Sequence, residues 1–326
     1  MRAIQITRLA GPDDSLSLAE LHEPQASHPM TPGSGVVIDV HAAGVSFPEV
    51  LQTRGDYQLR PDLPFVPGSE VGGVVREVRG RADVRPGDRV AAFCMLGAWA
   101  QVAVAPAHLT FRIPDEWDFA QGAALVLNYH TAHFALLTRG RLAAGETVLV
   151  HGAAGGVGTA TVQMAKAHGA RVIAIVSSEE KERVARLAGA DEVVRSDGPW
   201  KDQATDLGGA DVVIDPVGGD RFTDSLRSLR EGGRLVVVGF TARSIPEVRV
   251  NRLLLTNTEV VGAGWGAAAL GRPERVIRTG EQLRPLIDAG RLRPIVGPRF
   301  PLERAADALR LMDGRGATGK VVLEVA

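Results

Sequence analysis

Two textures of apolar and polar positions divide the chain. Up to about residue 120, short apolar or alternating runs are broken by Gly and Pro, and they predict strands over 1–6, 36–40, 71–78, 89–93 and 99–104. Beyond about residue 121 the period changes. A helix opens that half, and an apolar strand ending near His151 is followed by a helix over 159–168, a continuous apolar strand over 171–176 and a strand over 211–215. A helix over 221–229, strands over 234–240 and 259–263, and a helix over 273–289 complete the series. Strands alternating with helices imply a parallel, doubly wound sheet. The tail, an amphipathic helix over 302–312 and a strand over 320–325, is assigned to the first domain. The expected fold class is α/β, with a β-rich first domain and a doubly wound second one.

Composition adds mainly exclusions. At 326 residues the chain suits two domains, and 45% hydrophobic and 23% charged residues with a net charge of −1 give neither a disordered chain nor the basic excess of a nucleic-acid binder. The single cysteine, Cys94, allows no intrachain disulfide framework and reads as a small buried hydrophobe between Phe93 and Met95. No signal-peptide pattern and no apolar run of membrane-spanning length stands in the sequence, so a soluble cytoplasmic protein is expected, with no membrane or nucleic-acid partner.

The densest chemical signal is Val148-Leu149-Val150-His151-Gly152-Ala153-Ala154-Gly155-Gly156-Val157-Gly158, a strand breaking into a glycine-rich turn and then a helix. Small residues at Ala153, Gly155, Gly156 and Gly158, with Val157 between them, let the backbone approach a pyrophosphate and offer it the helix N-terminus. About 20 residues further on, an NAD site would carry a carboxylate for the ribose 2′-hydroxyl. Ser177 stands there, followed by Ser178 and Lys181. Hydroxyls and an ammonium suit a 2′-phosphate, so NADPH is the expected cofactor. The competing reading gives the ribose to Glu179 or Glu180 and leaves Lys181 as a solvated charge.

Gly68-Ser69-Glu70-Val71-Gly72-Gly73, Pro86-Gly87-Asp88-Arg89-Val90, the glycine turn, Asp215-Pro216-Val217-Gly218-Gly219 and Gly319-Lys320-Val321-Val322-Leu323 stand in order along the chain. This set resembles the medium-chain dehydrogenase/reductase superfamily, and within it the zinc-free quinone oxidoreductase branch. The resemblance implies a GroES-like catalytic domain over 1–122, completed by 293–326, and a Rossmann domain over 123–292. Zinc-holding members carry a cysteine, a histidine and a second cysteine where this chain has Ser46, Ser69 and Leu127, so no metal site is expected. The resemblance also places Tyr57 in the active site, Ser46 at a position often held by asparagine, and Thr131 near the nicotinamide. It adds Phe240 and Trp265 to the cofactor residues. Arg195 and Arg315 are expected to extend the 2′-phosphate pocket. Tyr57 as a plain pocket wall and Trp265 as plain core are the opposing readings.

Together these features predict an NADPH-dependent, zinc-independent reductase that delivers hydride to a small-molecule electron acceptor, a quinone or an enone. Two alternatives share the motifs: an enoyl or acryloyl thioester or alkenal reductase, and a non-catalytic NADPH-binding protein of structural or sensing type. The apolar run Thr258-Glu259-Val260-Val261-Gly262 reads as a final edge strand that must be covered, which predicts a homodimer.

Overall fold

A computed structural model describes residues 1–269 and 271–325. The chain forms two compact units, one built from residues 1–127 with 294–326 and the other from 128–293.

The first unit is organised around the long strand Gly35–Val45. On one side it pairs antiparallel with Glu70–Arg79, and then come Arg89–Phe93 and Thr110–Arg112. On the other side it pairs antiparallel with Lys320–Glu324, which carries Val296–Pro301 as a parallel neighbour. Val102–Ala105 also pairs with Gly35–Val45, and Arg2–Ile6 with Leu16–Glu20 form a separate ribbon. Alternation puts Val36, Ile38 and Val40 into a core shared with Val71, Val75, Val90, Trp99, Leu309, Val321 and Leu323. Each such aliphatic side chain contributes about 1.5–3 kcal/mol by leaving water.

Gly35–Val45 runs five residues past the expected end at Val40. The small residues after it, which read as a break, are needed for close approach: a Cβ on Gly44 would lie 2.7 Å from both the Ala123 carbonyl oxygen and Lys320 Cε.

The second unit is a six-stranded parallel sheet: β1 (Thr147–His151), β2 (Arg171–Val176), β3 (Glu192–Arg195), β4 (Ala210–Asp215), β5 (Leu229–Val237) and β6 (Glu259–Gly262). Their order is β3-β2-β1-β4-β5-β6. Chain order reverses between β1 and β4, and the carboxyl ends of those strands border the crevice in which sheets of this type bind ligands. Helix α1 (Gly156–Ala167) follows β1, and α2 (Glu179–Leu187) follows β2.

Two expected boundaries move for identifiable reasons. The helix expected over 221–229 ends at Arg227, because Leu229 already pairs with Ala210 in the sheet. The strand expected to reach Phe240 stops at Val237: the N–H groups of Val238 and Gly239 bond the Asp215 carbonyl, and those of Thr241 and Ala242 bond Pro216 and Val217. Phe240 thus lies in a loop stacked on the Asp215-Pro216-Val217 turn. No helix among the described residues is long and apolar enough to cross a membrane.

Candidate active site

The glycine turn between β1 and α1 is held from within. Gly152 takes a left-handed backbone, φ 59°, and its carbonyl accepts from Gly155 N–H at 3.0 Å. A Cβ on Gly158 would stand 2.1 Å from that carbonyl oxygen, so only glycine lets α1 lie this close to the turn. Gly156 packs against the Asn128 side chain, at 3.0 Å from the place of its own missing Cβ. Gly155 is different. It caps α1 in an ordinary extended conformation, and a Cβ there would meet nothing nearer than 3.5 Å. The protein does not require glycine at 155; an anion approaching the first N–H groups of α1 would. Ala153 is buried, and its N–H donates to the Ile175 carbonyl. Val157, in the first turn of α1, accepts from Thr161 Oγ1 at 2.7 Å.

The structure gathers four of the expected 2′-phosphate residues at the carboxyl ends of β2 and β3. Lys181 Nζ donates to Ser177 Oγ at 3.0 Å, and Ser178 caps α2 by accepting from Lys181 N–H at 3.3 Å. Arg195, paired in register with Val176, reaches the Ser177 carbonyl at 3.4 Å and Asp197 at 2.8 Å. Its buried Nε has no acceptor. Glu179 and Glu180 point to solvent in the first turn of α2, where carboxylates stabilise a helix N-terminus. Arg315 belongs to the other unit, in a left-handed turn after the helix Ala305–Asp313.

Around the crevice of this unit, Asp215 Oδ1 accepts the Val217 and Gly218 N–H groups at 2.8 and 2.9 Å, fixing the turn on which Phe240 packs. Its Oδ2 is buried without a partner, and burial raises the carboxyl above its ordinary range. Thr131 is buried on the helix Val126–His133, beside His130, whose ring meets Trp265 edge-on at 5.6 Å. Burial drives the His130 imidazole down to about 3, with the neighbouring His133 adding to the shift. Tyr129 is buried with its hydroxyl on Gln163 Oε1 at 2.7 Å, a committed packing contact.

The first unit holds a polar cluster inside its core. Lys320 and Glu70, only 3% and 1% exposed, form an ion pair. Glu70 Oε1 also accepts the Leu127 N–H at 2.7 Å, and Lys320 Nζ donates to Ser46 Oγ at 2.7 Å. Ser46 opens the helix Phe47–Gln52, and its N–H donates to Glu49 Oε2 at 2.8 Å. Ser69 Oγ donates to Glu49 Oε1 at 3.3 Å. Burial raises the Glu49 carboxyl to about 7 against the opposing pull of Lys320. Tyr57 sits within the field of Glu49: burial and that charge both raise its phenol. Its loop is anchored by Arg54, which grips both Asp313 oxygens at 3.0 and 2.7 Å, and by Arg60 Nε on the Tyr57 carbonyl at 3.2 Å. Cys94 is buried beside Glu70, and burial pushes its thiol up to about 12.

Reading the residues singly missed Glu49, Glu70 and Lys320 as members of this cluster. One signal was present, because Ser46-Phe47-Pro48-Glu49 is a helix-capping pattern that ties the glutamate to the serine. The cluster does not suit zinc. Leu127 has no donor atom in its side chain, Ser69 is engaged with Glu49, and an ammonium rests against Ser46. Among the described residues, no three His, Cys, Asp or Glu side chains are placed to hold a metal ion.

Comparison with known proteins agrees with this architecture. Residues 32–115 match the family model of the alcohol dehydrogenase GroES-like domain, and residues 156–279 match that of the zinc-binding dehydrogenases. The mouse quinone oxidoreductase is 35% identical over 99% of this chain and 97% of its own length. The chain belongs to the medium-chain dehydrogenase/reductase superfamily, in its quinone oxidoreductase branch. Its first unit is the GroES-like domain and its second the Rossmann domain. Among solved structures, a mycobacterial protein complexed with NADPH is 33% identical with a TM-score of 0.90, each chain covered in full. The Thermus thermophilus quinone oxidoreductase, solved also with NADPH, is 36% identical with a TM-score of 0.85, again over both full chains.

Proposed function

We propose that this protein is a cytoplasmic, NADPH-dependent reductase that transfers hydride to quinones or related conjugated carbonyls without zinc. The observation that carries the reading is the group at the end of β2: a serine hydroxyl, an ammonium and a guanidinium with a spare buried N–H, where an NAD site would need a carboxylate. The glycine turn and the α1 N-terminus would hold the pyrophosphate, and Ser177, Lys181 and Arg195 the 2′-phosphate. Bound NADPH supplies the hydride. A conjugated acceptor spreads the incoming charge itself, so this chain has to hold it, exclude water and donate a hydrogen bond to its oxygen. Tyr57, half-buried on an anchored loop, suits that role.

Thioester reduction is the second enzyme reading, and it needs cationic groups for coenzyme A. Arg54 is spent on Asp313 and Arg60 holds its own loop, which favours the quinone reading. An initial-rate screen with NADPH against quinones, alkenals and enoyl thioesters tests the proposal. Oxidation of NADPH fastest with quinones supports it; tight NADPH binding with no turnover of any acceptor would assign the protein to the non-catalytic class.

Tyr57→Phe is expected to lower kcat/KM for a quinone about tenfold, roughly 1.4 kcal/mol, with NADPH affinity unchanged. That is less than the loss of one donor in a dry oxyanion site, because a quinone delocalises its own charge. A silent Tyr57→Phe beside a damaging Tyr57→Ala would make the ring a wall only. Zinc independence rests on Ser46, Ser69 and Leu127, and exhaustive chelation should leave turnover intact. Stoichiometric zinc whose removal abolishes the rate would overturn it.

Homodimerisation is proposed through β6, which ends the sheet with no strand beyond it among the described residues. Val250, Leu254 and Leu255 lie more than 70% exposed on the segment just before it. Light scattering at micromolar concentration should give twice the 34.5 kDa chain mass, and a monomeric mass would refute the pairing.

A further inference from the structure

Buried ion pairs seldom repay their own desolvation, and an apolar pair of the same size usually serves stability as well. Lys320 and Glu70 therefore need another reason to sit inside the first unit. Neither touches solvent appreciably, yet Lys320 Nζ extends past Gly44, where a side chain would block it, to the Ser46 hydroxyl at 2.7 Å. Ser46 itself is only half-buried. Its oxygen accepts from the ammonium, so its own hydrogen is left to donate, and among the described residues no acceptor takes it.

We propose that Ser46 is a second hydrogen-bond donor to the oxygen of the electron acceptor, and that Lys320, held by Glu70, is the positioning residue that orients and polarises it. The inference rests on the reductase reading above. An ammonium donating to a hydroxyl oxygen draws electron density from it and strengthens the O–H as a donor. When bound NADPH supplies hydride, H and its bonding pair would form the new C–H bond at the β-carbon of the conjugated acceptor. The C=C pair would shift to the neighbouring C–C bond, and the C=O π pair would move onto the acceptor oxygen. The chain N⁺–H to Oγ–H to O⁻ is thus stronger in the transition state than in the ground state, which is the condition for raising kcat. Ser46 and Lys320 keep their protons, and the reduced acceptor takes its proton from water. Glu70 balances the lysine charge inside the core, and its second oxygen on the Leu127 N–H fixes its position. Glu49 orients the other end of the serine through its backbone N–H. With Tyr57 on the neighbouring loop, the first unit then presents two donors.

The test compares Ser46→Ala, Ser46→Thr, the paired exchange Lys320→Met with Glu70→Gln, and the triple variant that adds Ser46→Ala to that exchange. Initial rates at saturating NADPH with an enone and with a quinone, NADPH affinity and Tm are read for each. Ser46→Ala should reduce kcat about tenfold or more on the enone and less on the quinone, which delocalises its own charge, with NADPH affinity unchanged and Ser46→Thr retaining most of the rate. The paired exchange should cost severalfold in kcat, and that cost should vanish in the Ser46→Ala background, since Lys320 acts only through the hydroxyl. An equal loss in both backgrounds would make the ion pair structural and overturn the role of Lys320. Full activity of Ser46→Ala overturns the proposal without using the paired exchange, whatever the stability of the latter. A wild-type protein that turns over no acceptor removes the reductase reading, and this inference with it; active wild type with insensitive variants removes this inference alone.

Discussion

Gly158→Ala should destabilise the Rossmann domain by about 3 kcal/mol, the upper end of what overpacking a close-packed site costs, and should weaken NADPH binding by a similar amount. The added methyl would meet the Gly152 carbonyl oxygen at 2.1 Å and two backbone atoms of Ala153 at 2.8 Å, none of which can rotate away as a side chain would. Either α1 lifts from the turn or the turn opens, and both movements carry the α1 N–H groups off the phosphate position. A loss of about 3 kcal/mol in binding is roughly a hundredfold in Kd. Gly155→Ala is the matched control. The protein leaves 3.5 Å there, so Tm should hold while affinity falls, because the methyl stands in front of the helix N-terminus. Thermal melts with and without NADPH, together with fluorescence titration, separate the two. Wild-type Tm and affinity in Gly158→Ala would contradict the packing argument.

Ser177→Asp should reverse the cofactor preference. The new carboxylate would face the 2′-phosphate at the point where Lys181 and Arg195 converge, and it would also pair with those two cations. Two unit charges about 4 Å apart interact by about 4 kcal/mol near a protein surface. Ser177 is exposed, so screening leaves about half, a loss of roughly thirtyfold for NADPH. NADH gains an acceptor for its ribose hydroxyl, and the ratio of the two affinities should move by about a hundredfold. Lys181→Ala should weaken NADPH in the same direction without helping NADH. Equal affinity of the wild-type protein for the two cofactors would defeat the assignment.

What was legible in the sequence is what is written locally. The strand over 171–176 needs only its own continuous apolar run, and Ser177 and Ser178 follow it directly, with Lys181 one helical turn on. Arg195 joins them through a short strand, Glu192–Arg195, that no predicted element covered: parallel pairing sets it beside Val176. The polar cluster of the first unit is of another kind. Ser46 and Lys320 are 274 positions apart and Glu70 and Lys320 are 250 apart, so no window or period connects them. Gly44 illustrates the difficulty: as a residue it reads as a break in a strand, while in the fold it is the space through which a lysine passes. Boundaries failed for related reasons, as at Phe240, whose neighbours satisfy their N–H groups on another loop instead of on the next strand.

The pairing of Lys320 with Glu70 also orders events during synthesis. The Rossmann domain is one contiguous segment and can fold as soon as it leaves the ribosome, whereas the domain that begins first must wait. Until Lys320–Glu324 arrives to pair with residues 42–45, Glu70 has no counter-charge and that end of the central strand keeps an open edge. A chain interrupted shortly before its last strand would thus carry a finished nucleotide-binding domain beside an unsealed partner. In such a fragment the Ser46 hydroxyl would lack the ammonium that donates to it in the complete fold, and Glu70 would be left as a lone carboxylate in the unit's interior.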